Sequence, residues 1–95
     1  MNADDVIRRA DEARRVLETP VVKEAIESLK AEIVAQWAAT PARDEEGREW
    51  VWRHYKVAER FEAMLKGYVE TGRFERIKIE QSAKDRAISW FKRAA

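Results

Sequence analysis

The sequence predicts an all-α fold of three to four helices, built around a long central antiparallel helical hairpin in an oligomeric protein. Hydrophobic residues make up 45% of the chain and charged residues 39%, which is a composition typical of amphipathic helices. Three glycines and two prolines leave few positions that break a helix, so the helices should be long. Ninety-five residues predict a single domain, residues 1–95, with a thin core.

Two Thr-Pro dipeptides indicate helix boundaries in the first half of the chain. Asn2 can cap a first helix over residues 3–18, and Thr19-Pro20 is a typical start for a second helix over residues 20–39. Both predicted helices carry apolar residues at spacings of three and four. In the second helix these residues are Val22, Ile26, Leu29, Ile33 and Trp37.

A third helix is predicted over residues 45–71. The acidic run before and at its start suits the positive end of the helix dipole, and Gly72 is read as the glycine that ends it. Such a helix is about 40 Å long, which is more than a compact 95-residue domain needs.

The remaining residues, 74–93, form a basic C-terminal segment. Residues 74–80 alternate as a short strand does, but they also tolerate helical phase, and helix is preferred because a lone strand has nothing to pair with. Ser82 and Asp85 have the spacing of a capping box, which predicts a last helix over residues 83–93.

The third helix carries an apolar arc about 180° wide, at 100° per residue. An arc of that width predicts two neighbouring helices, or one neighbour and a second subunit. The residues assigned to the core or to an oligomer interface are Trp50, His54, Tyr55, Phe61, Leu65 and Tyr68. His54 lies mid-arc, where a pH switch or general base competes with a neutral core histidine bonded to a carbonyl or carboxylate. The core reading is preferred, since no second histidine or cysteine accompanies His54.

Three other aromatic residues are better candidates for contact with a partner than the residues of the apolar arc are. They are Trp52, Trp90 and Phe91. Trp52 falls on the charged side of the third helix, where an exposed indole suggests a contact surface. The alternative is that Trp52 packs against the returning C-terminal segment.

Charge is distributed unevenly along the chain. Residues 1–72 contain 12 Lys or Arg and 15 Asp or Glu, whereas residues 73–95 contain 7 and 3. The acidic part and the basic part can attract each other within a chain or between chains, or the basic part can bind an anionic partner. Candidate nucleic-acid contacts are Lys84, Arg86, Lys92 and Arg93. A pI of about 8.0 is lower than most nucleic-acid-binding domains have, so a solvated helix face is the competing interpretation.

Several classes of function are disfavoured. The chain has no cysteine and one histidine, which argues against disulfides, thiolate chemistry and zinc. It has no glycine-rich phosphate loop or other catalytic motif, so we expect neither an enzyme nor a cofactor. No apolar run is long enough to span a membrane, and the acidic start argues against a signal peptide. The expected location is the cytoplasm.

A helix, the connection "TPARDEEGRE" and the segment "WVWRHYKVAERFEAMLKGYVETG" together resemble small all-helical proteins of tailed phages and prophages. The resemblance covers residues 13–72, and the residues that carry it are Asp44, Gly47, Arg48, Glu49 and Trp52. It implies a non-enzymatic factor of DNA packaging or head assembly, similar to a small terminase subunit. Small terminase subunits form rings through helical hairpins. The chain departs from those subunits in lacking a separate DNA-binding head.

The leading hypothesis is therefore an assembly or adaptor protein that acts through helix–helix contacts with itself and with another assembly or packaging protein, in the host cytoplasm or the virion. One alternative is a nucleic-acid-binding accessory factor led by the basic C-terminal segment. Another is a regulator or inhibitor that docks on a host protein.

Overall fold

A computed structural model describes residues 1–94 of the chain. They form three α-helices: α1 (Ala3–Glu18), α2 (Pro20–Ala39) and α3 (Glu45–Ala94). This confirms the predicted all-α class. None of these helices is both long enough and apolar enough to cross a membrane.

The starts of the helices follow local chemistry. The Asn2 side chain accepts a hydrogen bond of 2.9 Å from the Asp5 amide and caps α1, as predicted. Pro20 occupies the first turn of α2, while the Thr19 hydroxyl donates back to the Arg15 carbonyl instead of capping α2. Asp44 caps α3, because its carboxylate accepts from the Gly47 amide at 3.0 Å.

The predicted end of the third helix at residue 71 is wrong. α3 continues through Gly72 to Ala94 as one helix of 50 residues, so residues 74–80 are helical and no separate last helix begins near residue 83. A glycine that ends a helix adopts a positive φ, and Gly72 does not. No proline follows, and Glu70–Arg73 and Glu75–Lys78 ion pairs span the glycine and the turn after it.

α1 and α2 lie end to end along one side of α3, and both run opposite to it. Ala10 of α1 lies against Gly72, whereas Lys30 of α2 is paired with Glu62, and the end of α2 at Trp37 contacts Arg48. The molecule is therefore only two helices thick, with extents of 78 × 26 × 19 Å. Its radius of gyration is 21.6 Å, against about 12 Å for a compact domain of this length.

The contact between the helices uses a seven-residue repeat on α3. The repeat alternates steps of four and three residues, the spacing of a coiled-coil seam. We call this set the seam; it is buried or half-buried throughout and comprises Val51, Tyr55, Ala58, Glu62, Leu65, Val69 and Gly72. Facing it, α1 contributes the buried Ala10 and Ala13, and α2 contributes Ile33. The buried residues are mostly small, so the helices approach closely but bury little apolar surface.

Gly72 allows a close approach between α1 and α3. A Cβ atom added at Gly72 would overlap the Ala10 Cβ, whereas the space around Gly67 is open. We expect Gly72→Ala to lower the free energy of unfolding, since overpacking costs about 1–3 kcal/mol and alanine returns only about 1 kcal/mol of helix propensity. The matched variant Gly67→Ala should raise it by about 0.5–1 kcal/mol. Urea unfolding followed by circular dichroism measures both, and an equal gain in the two variants would show that the close approach is absent.

Candidate interaction surfaces

The predicted core of the third helix is only partly a core. Leu65, Tyr55 and Tyr68 are half-buried along the contact with α1 and α2. Trp50, His54 and Phe61 are exposed, with 56% of Trp50 and 56% of Phe61 accessible, so the preferred assignment of His54 to the core is wrong for the single chain. The arc is too wide for one neighbouring helix, and the two-layer fold supplies only one.

The exposed part of the arc is itself a seven-residue repeat, one position away from the seam. We call it the body stripe; it comprises Trp50, His54, Val57, Phe61 and Met64, all of them exposed. His54 packs against the Trp50 ring with a centroid distance of 3.9 Å, and its Nδ1 lies 2.9 Å from the Trp50 carbonyl oxygen. The imidazole thus has the carbonyl partner expected of it, but on an accessible surface.

Beside the body stripe, α2 adds further apolar surface. Ile26 and Leu29 line a shallow recess together with Val57 and Phe61. Leu29 is 48% exposed, and Val57 is 68% exposed. Side chains of two helices thus form one continuous apolar surface, wide enough to receive another helix.

Trp52 lies on the other side of the α2–α3 contact. Its ring stacks on Tyr55 at a centroid distance of 6.0 Å, and the Lys56 ammonium lies 4.6 Å from the ring centroid. With Val34 and Trp37 it lines an apolar groove of about 270 Å³. Trp52 remains 50% exposed, and no returning C-terminal segment covers it, because α3 runs straight on.

Arg76 in the C-terminal segment pairs with Asp11 of α1 at 2.9 Å, whereas the basic residues from Lys84 onward project away from the rest of the chain. Every residue from 76 to 94 is exposed, and the side-chain hydrogen bonds of residues 81–94 join only residues of that same stretch. Trp90 and Phe91 are 61% and 67% exposed and meet edge to face at 5.1 Å. The four candidate nucleic-acid contacts, Lys84, Arg86, Lys92 and Arg93, are likewise all exposed.

One ion pair ties α2 to α3. Lys30 Nζ lies 2.7 Å from Glu62 Oε1, and the two side chains are 27% and 25% exposed. The hydrogen bond to Lys30 is the largest cause lowering the pKa of Glu62, and the same bond raises the pKa of Lys30. Sequence reasoning missed this pair, although the seven-residue spacing places Glu62 between Ala58 and Leu65 and signals a facing side chain.

Within residues 1–94, no three histidine, aspartate or glutamate side chains come together in a way that would hold a metal ion. The arrangement instead presents apolar and basic surfaces suited to binding macromolecules. Comparison with family models, curated proteins and solved structures finds no significant match to this chain.

The ion pair predicts a dependence of stability on pH. Because the pKa of Glu62 is lowered from 4.5 in the folded state, its contribution is present above pH 4.5 and is lost as pH falls through the folded value. The difference in unfolding free energy between wild type and Glu62→Gln should therefore shrink between pH 7 and pH 3. Denaturant unfolding at several pH values measures it.

The control is Glu49→Gln, which removes the ion pair between Glu49 and Arg53. The side chains of Arg53 and Glu49 are 72% and 63% exposed. Such a pair stabilises little, so this variant should follow wild type at every pH. A constant difference between wild type and Glu62→Gln down to pH 3 would contradict the role given to the Lys30–Glu62 pair.

Proposed function

We propose that this protein is a non-enzymatic assembly protein that acts through helix–helix contacts and associates with copies of itself. The observation that carries the proposal is the body stripe, an apolar seven-residue repeat on α3 that α1 and α2 leave open. Exposed apolar surface of this extent is typical of interaction sites. A seven-residue repeat is the pattern that receives another helix.

The accessible surface supports the same proposal. It measures 7664 Å², whereas a compact monomer of 11.1 kDa exposes about 5,700 Å². The excess of about 2,000 Å² exceeds the roughly 800 Å² that each partner buries in a standard protein interface. One copy therefore has room for contacts on more than one face.

The biological setting that we propose is phage DNA packaging or virion assembly. Its support is the resemblance of residues 13–72 to small helical phage proteins, carried by the short polar motif around Asp44, Gly47 and Arg48. In the fold, that motif has a structural use: Asp44 caps α3, and Arg48 donates to the Thr40 carbonyl at 2.9 Å and lies over the Trp37 ring. The motif thus fixes the turn that places α2 beside α3.

The proposal is tested by the oligomeric state in solution. Wild type should elute as an oligomer at tens of micromolar in size exclusion with light scattering. Val57→Glu should weaken association at least tenfold, because it places a charge in the middle of the body stripe. Helix content should not change, since Val57 is 68% exposed in the single chain.

The matched control is Ala63→Glu, which adds the same charge to an exposed position of α3 outside the body stripe. It should associate like wild type. A wild-type chain that remains monomeric at tens of micromolar would overturn the proposal, and equal behaviour of Val57→Glu and wild type would exclude the body stripe as its interface.

A second function, binding of nucleic acid, has one observation in its favour. Residues 81–94 form a projecting helix with four cationic side chains and one aspartate, and Trp90 and Phe91 are free to stack on bases. If this helix binds DNA, affinity for a duplex should fall steeply with salt and be lost on deletion of residues 84–95. Fluorescence anisotropy measures it, and no binding at low salt would exclude this function.

A further inference from the structure

The C-terminal half of α3 carries a third apolar repeat, separate from the seam and the body stripe. Its steps are three, four, three, four and three residues, as in a coiled-coil seam. We call it the terminal stripe; it comprises Phe74, Ile77, Gln81, Lys84, Ile88 and Phe91. Its four apolar members are between 46% and 67% exposed.

The terminal stripe faces away from α1. At 100° per residue Phe74, Ile77 and Gln81 lie within about 40° of the direction opposite Gly72, which is a point of close contact with α1. α1 therefore leaves this side of α3 open, and residues 81–94 have no neighbour on any side. A second helix can lie along residues 74–91 without meeting α1.

The order of residues in the terminal stripe is self-complementary when the helix is reversed. Two antiparallel copies centred between Gln81 and Lys84 form a symmetric set of layers. The layers are Phe74 with Phe91 of the second copy, Ile77 with Ile88 of the second copy, and Gln81 with Lys84 of the second copy. Apolar residues then meet apolar residues, and the two polar layers fall at the centre.

Other registers lack this match. Parallel pairing places Lys84 beside Lys84 of the second copy, with like charges in the interface. An antiparallel register shifted by seven residues places Lys84 against either Phe74 or Ile88 of the second copy. Polar residues within such an interface commonly select one register and orientation in this way.

Charges beside the stripe favour the same arrangement. Lys78 and Asp85 occupy equivalent flanking positions seven residues apart, and the antiparallel register brings Lys78 close to Asp85 of the second copy, twice by symmetry. Within one chain their partners are weak: Lys78 lies 3.9 Å from Glu75, and Asp85 accepts from Gln81 at 3.3 Å. Both charges therefore remain available for a contact between chains.

We infer that two copies of this chain pair through residues 74–91 of α3 as an antiparallel coiled coil, with Phe74 packed against Phe91 of the second copy. The paired region is about 27 Å long. α1 overlaps only its first residues, as the contact between Arg76 and Asp11 shows, and lies on the other side of α3, so the two α1–α2 layers do not collide. The inference rests on the proposed self-association and specifies one interface, its register and its orientation.

Introduced cysteines test the register, because the native chain has none. A mixture of full-length Phe74→Cys and Phe91→Cys should form disulfide-linked dimers under mild oxidation at least tenfold more than either variant alone. Residues 74 and 91 are 17 apart, so two copies of one variant hold their thiols about 25 Å apart, beyond reach of a disulfide. Equal cross-linking of Phe74→Cys with itself would indicate a parallel pair and overturn the inference.

A charge exchange gives an independent test. Lys78→Glu should weaken the dimer about fivefold, and the double variant Lys78→Glu with Asp85→Lys should restore it. Arg86→Glu is the control, because it makes the same charge change on the opposite side of the helix and should leave the dimer unaffected.

The two proposals fail differently. If wild type is an oligomer but the mixed cysteine variants give no cross-link above either variant alone, the terminal pairing is wrong and self-association through the body stripe stands. If wild type is a strict monomer at tens of micromolar, self-association itself is wrong.

Discussion

The contacts that hold α1 and α2 on the rest of the chain run along one seam of α3. α1 and α2 lie end to end, so neither provides a third layer, and α3 has a neighbour on only one side along residues 45–79. A single seam of small and medium side chains therefore carries the fold. This constraint explains both the elongated shape and the large apolar surface that remains exposed.

The side chains of the seam allow a close contact between helices but bury little apolar area. Gly72 and Ala10 let two backbones come close, and Ala58 does the same further along α3. Their apolar area is small, so burial stabilises each contact only modestly. The Lys30–Glu62 pair adds a charged contact between α2 and α3, and sliding of α2 along α3 would separate these two half-buried side chains.

Local signals in the sequence predicted the helices and their starts, because caps and Thr-Pro steps act within a few residues. The end of α3 was not predictable in the same way. Gly72 looks like a helix end when only its neighbours in sequence are considered. Its role depends instead on Ala10, 62 positions earlier, because the Ala10 side chain leaves no room for a side chain at position 72. The seven-residue spacing from Val51 to Gly72 holds the better signal, since it places the glycine in the seam.

The surfaces were less predictable than the helices. The wide apolar arc of the third helix predicted two neighbours, or one neighbour and a second subunit, but sequence alone does not divide such an arc between a covered part and an open one. That division follows from topology: α1 and α2 run along the same side of α3, which leaves His54 and Phe61 exposed. Trp52 was expected on the exposed side, and it stays half exposed because the C-terminal segment never returns.

The lengths of the helices leave the end of α3 without a neighbour. α1 and α2 together cover about 55 Å, whereas α3 is about 75 Å long, so its last 14 or so residues extend past any neighbour in the chain. An isolated helix of that length is marginal in water, and this one exposes Ile88, Trp90 and Phe91. The same residues that destabilise a solitary extension stabilise one that is paired. The overhang and its apolar repeat, which matches itself when one helix is reversed, are therefore the two features on which the proposed pairing of two chains rests.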